Sequence, residues 1–231
     1  MKKAIFFLLL VVVITCVFKY AKPIYHYISK EIAVEKVDDS SAEAIENRVR
    51  RNLRKAGIDH FPDKLSFLAF KEEQLLQIYS VEATDKILIA EYPFTAFSGR
   101  LGPKLKEGDK QIPEGIYKIE YLKPNSSYHL SLKVSYPNDF DKARSALPAV
   151  SQMGGDVFIH GKALTIGCIP IGDRAIEEVF FLAEKAIHNE IKVIISPRDF
   201  RNNAKYPNIT GIEWEEELYE KIKEELLVFP L

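Results

Sequence analysis

Between residues 65 and 135 the chain repeats one pattern: a short apolar run, then turn-forming residues. The runs are "LSFLAF", "QLLQIYSV", "KILIAEYPFTAF", "GIYKIEYL" and "YHLSLKVSY". Runs of this length bounded by Gly, Pro, Asp and Lys read as β-strands, not helices. In the last run His129, Ser131, Lys133 and Ser135 alternate with Leu130, Leu132 and Val134, the period-two pattern of a strand with one buried face. "DVFIH" and "KVIISP" add two further strands. A region built this way has to satisfy its backbone in a sheet, so the chain is expected to be mainly β. Between the strands, "FSGRLGPKLKEGDKQIPEGIY" and "PNDFDKARSALPAVSQMGGD" have the composition of long surface loops. Loops of that length in a compact domain often carry function.

Helical periodicity flanks the strands. In "DRAIEEVFFLAEKAIHNE", Ile176, Val179, Phe180, Ala183 and Ile187 share one face, with Asp173 as the expected N-cap. "EWEEELYEKIKEELLVF" places Trp214, Leu218 and Ile222 on a C-terminal amphipathic helix. Upstream, Ile45, Val49, Leu53 and Ala56 form a stripe ending at Gly57, a helix stop. That stripe either packs on the domain or forms a stalk. With 231 residues, 47% of them hydrophobic, there is material for one substantial core. The expected fold class is α+β, mainly β with flanking helices.

The N-terminus, "MKKAIFFLLLVVVITCVFKYAKP", sets Lys2 and Lys3 before an uncharged apolar stretch from Ala4 to Phe18. This reads as an export signal or short membrane anchor over residues 1–22. A helical spacer over 23–60 and a catalytic domain over 61–231 complete the expected organisation. The expected location is the periplasm or cell envelope, with membrane contact through the N-terminal segment if it is uncleaved. Net charge is −1, so no positive field exists to drive nucleic-acid binding, and no nucleic-acid partner is expected.

Export changes the meaning of the two cysteines. Cys16 belongs to the apolar N-terminal segment, which leaves Cys168 without an intramolecular disulfide partner. His160 precedes Cys168 by eight residues, with Gly161 and Gly167 between them. An imidazole near a thiol raises its thiolate fraction, and an ion pair could be the resting form. Backbone N–H groups beside a glycine are suited to an oxyanion. The residues alone leave two readings open, a small buried thiol or a nucleophile.

"FIHGKALTIGCIPIGD" resembles the active-site signature of the L,D-transpeptidase catalytic domain, the YkuD family. Upstream, Pro113, Glu114, Gly115, Ile116 and Tyr117 resemble the family's "TPxGxF"-type turn, and "HLSLKVSYPNDFDKA" is similar to its murein-acting YafK-like branch. The matches span roughly residues 65 to 200. The resemblance implies an L,D-transpeptidase-like β-sandwich domain. In it Cys168 would be the nucleophile, His160 its base, the carbonyl of Gly161 the group that orients the imidazole, and Gly167 and Cys168 the oxyanion donors. It implies peptidoglycan stem peptides as partners, a wall-linked protein as a further candidate, and a thioester intermediate. An amine acceptor would make the enzyme a transpeptidase and water a hydrolase that releases cross-links or wall-linked protein. The rival readings are a non-catalytic wall-binding module and a cysteine peptidase acting on ordinary peptide bonds. Two departures from the family pattern stand out: Ile166 replaces a second histidine, and Pro170 replaces an arginine.

For substrate contacts the sequence offers Arg144, Arg198, Lys110 and His129. Lys104 and Lys106 share the Lys110 loop. Each is equally at home in a salt bridge or on a solvated surface. No cofactor or metal is expected, since no C-x-x-C, H-E-x-x-H or phosphate-binding glycine loop is present.

Overall fold

The computed structural model of the protein describes residues 41–83 and 85–231. The apolar N-terminal segment, with Cys16, lies outside the described residues, as does the first part of the expected spacer. Among the described residues no helix is long and apolar enough to cross a membrane.

The elements run α1 (Ala42–Lys55), β1 (Leu65–Phe70), β2 (Leu75–Val81), β3 (Lys86–Pro93), β4 (Gly115–Ser126), β5 (His129–Val134), α2 (Asp139–Arg144), β6 (Phe158–His160), β7 (Ile169–Pro170), α3 (Asp173–Ala186), β8 (Lys192–Ser196) and α4 (Glu215–Leu226). All eight strands join one mixed sheet in the order β3-β2-β1-β8-β4-β5-β6-β7. The β1–β8 and β6–β7 pairs are parallel and the others antiparallel. The expected α+β class is the one observed.

Each strand run now has a physical reason. "LSFLAF" is buried at all six positions because both faces of β1 are covered. Leu65, Phe67 and Ala69 join a core with Val49 and Leu53 of α1 and Ile176, Val179, Leu182, Ala183 and Ala186 of α3. Leu68 and Phe70 face the other way, into a second core with Leu218, Tyr219, Ile222 and Leu226 of α4. β8 divides likewise, Val193 and Ile195 to the first core and Ile194 to the second. The far half of the sheet sends Ile119, Leu132, Val134, Ile159 and Ile169 into the first core. Both halves of the sheet therefore share one apolar interior.

The compact unit begins at Ile45. The stripe read as packing face or stalk buries Val49 and Leu53 in the core. Its Arg48 is 3% exposed and reaches two adjacent carboxylates of α3, with Nη2 2.6 Å from Glu177 and Nε 2.8 Å from Glu178. The helix is thus anchored by apolar contacts and by a buried ion triad.

Two local expectations are corrected. The second long loop is partly helical: Asn138 and Asp141 form a reciprocal capping box that starts α2, and Val150–Met153 makes a 3₁₀ turn. Asp173 is the first residue of α3, not its cap, because its carboxylate is taken by the Lys162 N–H at 2.7 Å. Gly172, at φ 81°, occupies the cap position.

Candidate active site

The register of the far half of the sheet builds the site. Ser131 of β5 pairs with His160 of β6, and His160 pairs with Pro170 of β7. Cys168 therefore enters β7 diagonally across from His160. Leu132 and Ile159 point to the core, which turns Ser131, Lys133, Phe158 and His160 to the opposite face. There Ser131, Phe158 and His160 border a cavity of about 330 Å³, with Tyr121, Lys123 and Cys168 also in its lining. A second cavity, of about 430 Å³, also borders Cys168, among Glu107, Lys110, Asp156, Ile166 and Gly167. Cys168, Asp156 and Ile166 line both.

His160 is buried, and its Nδ1 lies 2.5 Å from the carbonyl oxygen of Gly161. A carbonyl only accepts, so Nδ1 carries the proton and Nε2 is left with the lone pair of a base. The Tyr128 ring lies against the imidazole, with centroids 4.6 Å apart. Burial lowers the His160 pKa from its usual 6.5, opposed by the bond to Gly161. Gly161 admits no side chain, since a Cβ there would meet Asp173 Oδ1 at 2.6 Å and the Tyr128 carbonyl at 2.8 Å.

Cys168 is a free, partly buried thiol whose Sγ donates to the Asp156 carbonyl at 3.5 Å. Burial raises its pKa, and the nearby Asp156 adds to the rise. The Phe158 N–H, with the charges of Lys133 and Lys104, opposes it. Both directions favour neutral thiol and imidazole over the ion pair that the sequence leaves open as a resting form.

The turn before Cys168 is set by two features. Gly167 has φ 129°, and a Cβ there would stand 3.0 Å from the Gln111 carbonyl, so this turn rests directly on the long loop. Thr165 Oγ1 accepts from the N–H of Cys168 at 2.8 Å and of Gly167 at 3.2 Å, and donates to the Cys168 carbonyl at 2.7 Å. The two amides expected to face an oxyanion thus both converge on a side-chain hydroxyl.

The other sequence candidates divide. Lys110 lines the larger cavity. Arg144, Arg198 and His129 line neither cavity that Cys168 opens onto. Arg144 pairs with Glu217 of α4. Arg198 holds Glu72 and the Lys205 carbonyl, both at 3.0 Å. His129, at the tip of the β4–β5 hairpin, bonds Glu177 at 2.9 Å. Lys104 also lines the larger cavity, with its ammonium 2.7 Å from Asp109. Sequence reasoning missed Thr165, Tyr128, Asp156 and Lys123. The period-two pattern marks the face of β5 that carries Ser131, but not that Ser131 looks into the cavity.

The model of the L,D-transpeptidase catalytic domain, YkuD, matches residues 69–195, more than half of the chain. The chain belongs to this family. The matched span contains the last two residues of β1, all of β2 to β7 and β8 as far as Ile195, with His160, Thr165, Gly167 and Cys168 inside it. The YafK proteins of Escherichia coli strains K12 and O157:H7, each named for the L,D-transpeptidases, are 31% identical over 156 residues. Those residues are 64% of this chain and 61% of the relatives, so the chain matches less than two thirds of their length. Among solved structures, the helical cell shape determining protein Pgp2 of Campylobacter jejuni is 19% identical with a TM-score of 0.49, over 71% of this chain and 69% of that one. Bd1075 of Bdellovibrio bacteriovorus is 20% identical with a TM-score of 0.44, over 72% and 55%. Family membership rests on the match to the domain model.

Proposed function

We propose that this family member is an exported cysteine acyltransferase that acts on peptidoglycan stem peptides through a thioester on Cys168. The observation that carries the reading is the shared cavity: Cys168 and His160 line one chamber, and the Gly161 carbonyl fixes the imidazole tautomer that leaves Nε2 basic. In the first step His160 takes the thiol proton and sulfur adds to the donor carbonyl carbon. The tetrahedral intermediate collapses with cleavage of the C–N bond, and the leaving amine takes the proton from His160. A thioester remains on Cys168. In the second step an acceptor amine, or water, attacks the thioester and restores the thiol.

The two cavities that meet at Cys168 suit a two-substrate reaction, with donor and acceptor approaching the sulfur through different cavities. Hydrolysis differs only in the second step and would release a cross-link or a wall-linked protein. The lysine-flanked apolar run over residues 1–22 supports export as a signal or anchor, with the catalytic unit following it.

The test is mass spectrometry of purified muropeptides incubated with the protein and with Cys168→Ala. New cross-linked species, absent with the variant, are expected. Loss of a linked residue without cross-links would assign hydrolysis, and an unchanged profile with the intact protein would overturn the proposal.

A further inference from the structure

We propose that Thr165 is a positioning residue whose hydroxyl occupies, in the free enzyme, the place a substrate oxygen takes during acylation, so that acylation of Cys168 requires Thr165 to release the Gly167 and Cys168 amides. The inference rests on the reading of Cys168 as nucleophile.

Two successive N–H groups converging on a single oxygen, one of them on the nucleophile itself, form the donor arrangement that an oxyanion needs. Here that oxygen is Thr165 Oγ1, at 3.2 and 2.8 Å. Its own proton goes to the Cys168 carbonyl at 2.7 Å, which leaves the lone pairs for the amides. The convergence depends on the φ of 129° at Gly167, so it is built into the turn. Thr165 is flanked by Leu164 and Ile166, 71% and 76% exposed, so the segment that must move lies at the surface.

The exchange is selective for physical reasons. A neutral hydroxyl and a neutral carbonyl are comparable acceptors, so a bound substrate carbonyl gains little by displacing Thr165. An oxyanion accepts charge-assisted hydrogen bonds roughly twice as strong. It therefore wins the amides where the ground state does not, which concentrates stabilisation in the transition state. Removing the hydroxyl should open the site to both.

The experiment compares two small reagents on the full chain and on Thr165→Val and Thr165→Ser, with modification read at Cys168 by peptide mass mapping to separate it from Cys16. p-Nitrophenyl acetate acylates sulfur through an oxyanion, whereas iodoacetamide alkylates it without one. Thr165→Val should acylate roughly five- to tenfold faster, the worth of about one hydrogen bond, with alkylation within twofold of the parent. Thr165→Ser, which keeps the hydroxyl, should match the parent in both. Acylation of Thr165→Val that is unchanged or slower relative to alkylation overturns the proposal. A structure of the unmutated protein carrying a tetrahedral hemithioacetal, formed by addition of the Cys168 thiol to acetaldehyde, gives a second test that does not depend on the variant folding. The adduct oxygen, which stands where the oxyanion forms, should lie on the two amides with Thr165 rotated away, and a hydroxyl still bonded to both amides overturns the proposal. If Cys168 takes neither reagent, the nucleophile reading fails and this inference fails with it. If Cys168 reacts but the ratio does not move, only this inference fails.

Discussion

At the scale of single residues, the proposed chemistry rests on His160 and Cys168, which border one cavity. Burial lowers the His160 pKa below 6.5, so the basic imidazole persists below the pH at which an exposed histidine would be protonated. The acid limb of kcat/KM should therefore lie below 6.5, and a limb above that value would contradict the assigned base. The same shift affects stability. The unfolded chain binds the proton first, so this contribution is fully present above 6.5 and is lost as pH falls through the lowered folded value. His160→Gln should lower kcat/KM by roughly 10²- to 10⁴-fold, the usual worth of a general base. Cys168→Ala should abolish turnover, with a melting temperature close to the parent's because the thiol is partly exposed. Gly167 belongs to this scale too. Gly167→Ala would strain a φ of 129° and bring a Cβ to 3.0 Å from the Gln111 carbonyl. Its expected cost is about 1–3 kcal/mol in chemical denaturation, together with loss of activity from a displaced nucleophile turn.

At the scale of elements, the two helices beside the first core are tied by charge as well as by apolar contact. Arg48 of α1 meets Glu177 and Glu178 of α3, while Asn52 and the Tyr92 hydroxyl each donate to Glu178 at 2.9 Å. Glu177 also receives His129 at the hairpin tip, whose neighbour Tyr128 packs on His160. Arg48→Met would leave two carboxylates buried without their cation. Removing one partner of such a buried cluster typically costs about 3–5 kcal/mol. The expected result is a melting temperature lowered by roughly 10 °C, measured by calorimetry. A shift of only a degree or two would mean that the triad contributes no more than a surface pair. The sequence stripe that located α1 contains Val49 and Leu53 but says nothing of Arg48, since helical periodicity marks the apolar residues of a face and not the charged partner beside them.

At the scale of the whole molecule, buried charge joins the long loop before β4 to the end of β1 and to α4. Lys71, just after β1, pairs with Glu114 at 2.8 Å, and both side chains are fully buried. Lys71 also holds the Gly102 and Ile112 carbonyls, and Tyr219 of α4 donates to Glu114 at 2.9 Å. This network pins the long loop whose Gln111 carbonyl supports Gly167. Asp141 adds a pH dependence of its own, because burial raises its carboxyl from 3.8 to about 6. The folded state keeps a proton that the unfolded chain releases, so this contribution is present below about 3.8 and lost as pH rises through about 6. Asp141→Asn should flatten the fall in stability between those values, as measured by denaturation at a series of pH values. Much of this architecture was legible in the sequence. Period-two and helical patterns located the strands and helices, and the HG and GC steps singled out His160 and Cys168, because such signals lie within a few residues of one another. The assignments of Arg144, Arg198 and His129 were not legible, since their partners Glu217, Glu72 and Glu177 are distant in the chain and were chosen by the order of strands in the sheet. Thr165 is the opposite case, only three residues from Cys168, yet its bonds depend on how the Gly167 turn aims two amides at one oxygen. The sequence by itself determined which residues form elements and which faces are apolar. Only the tertiary structure decided which polar groups meet, because hydrogen bonds and ion pairs depend on direction and distance that a periodic pattern does not carry.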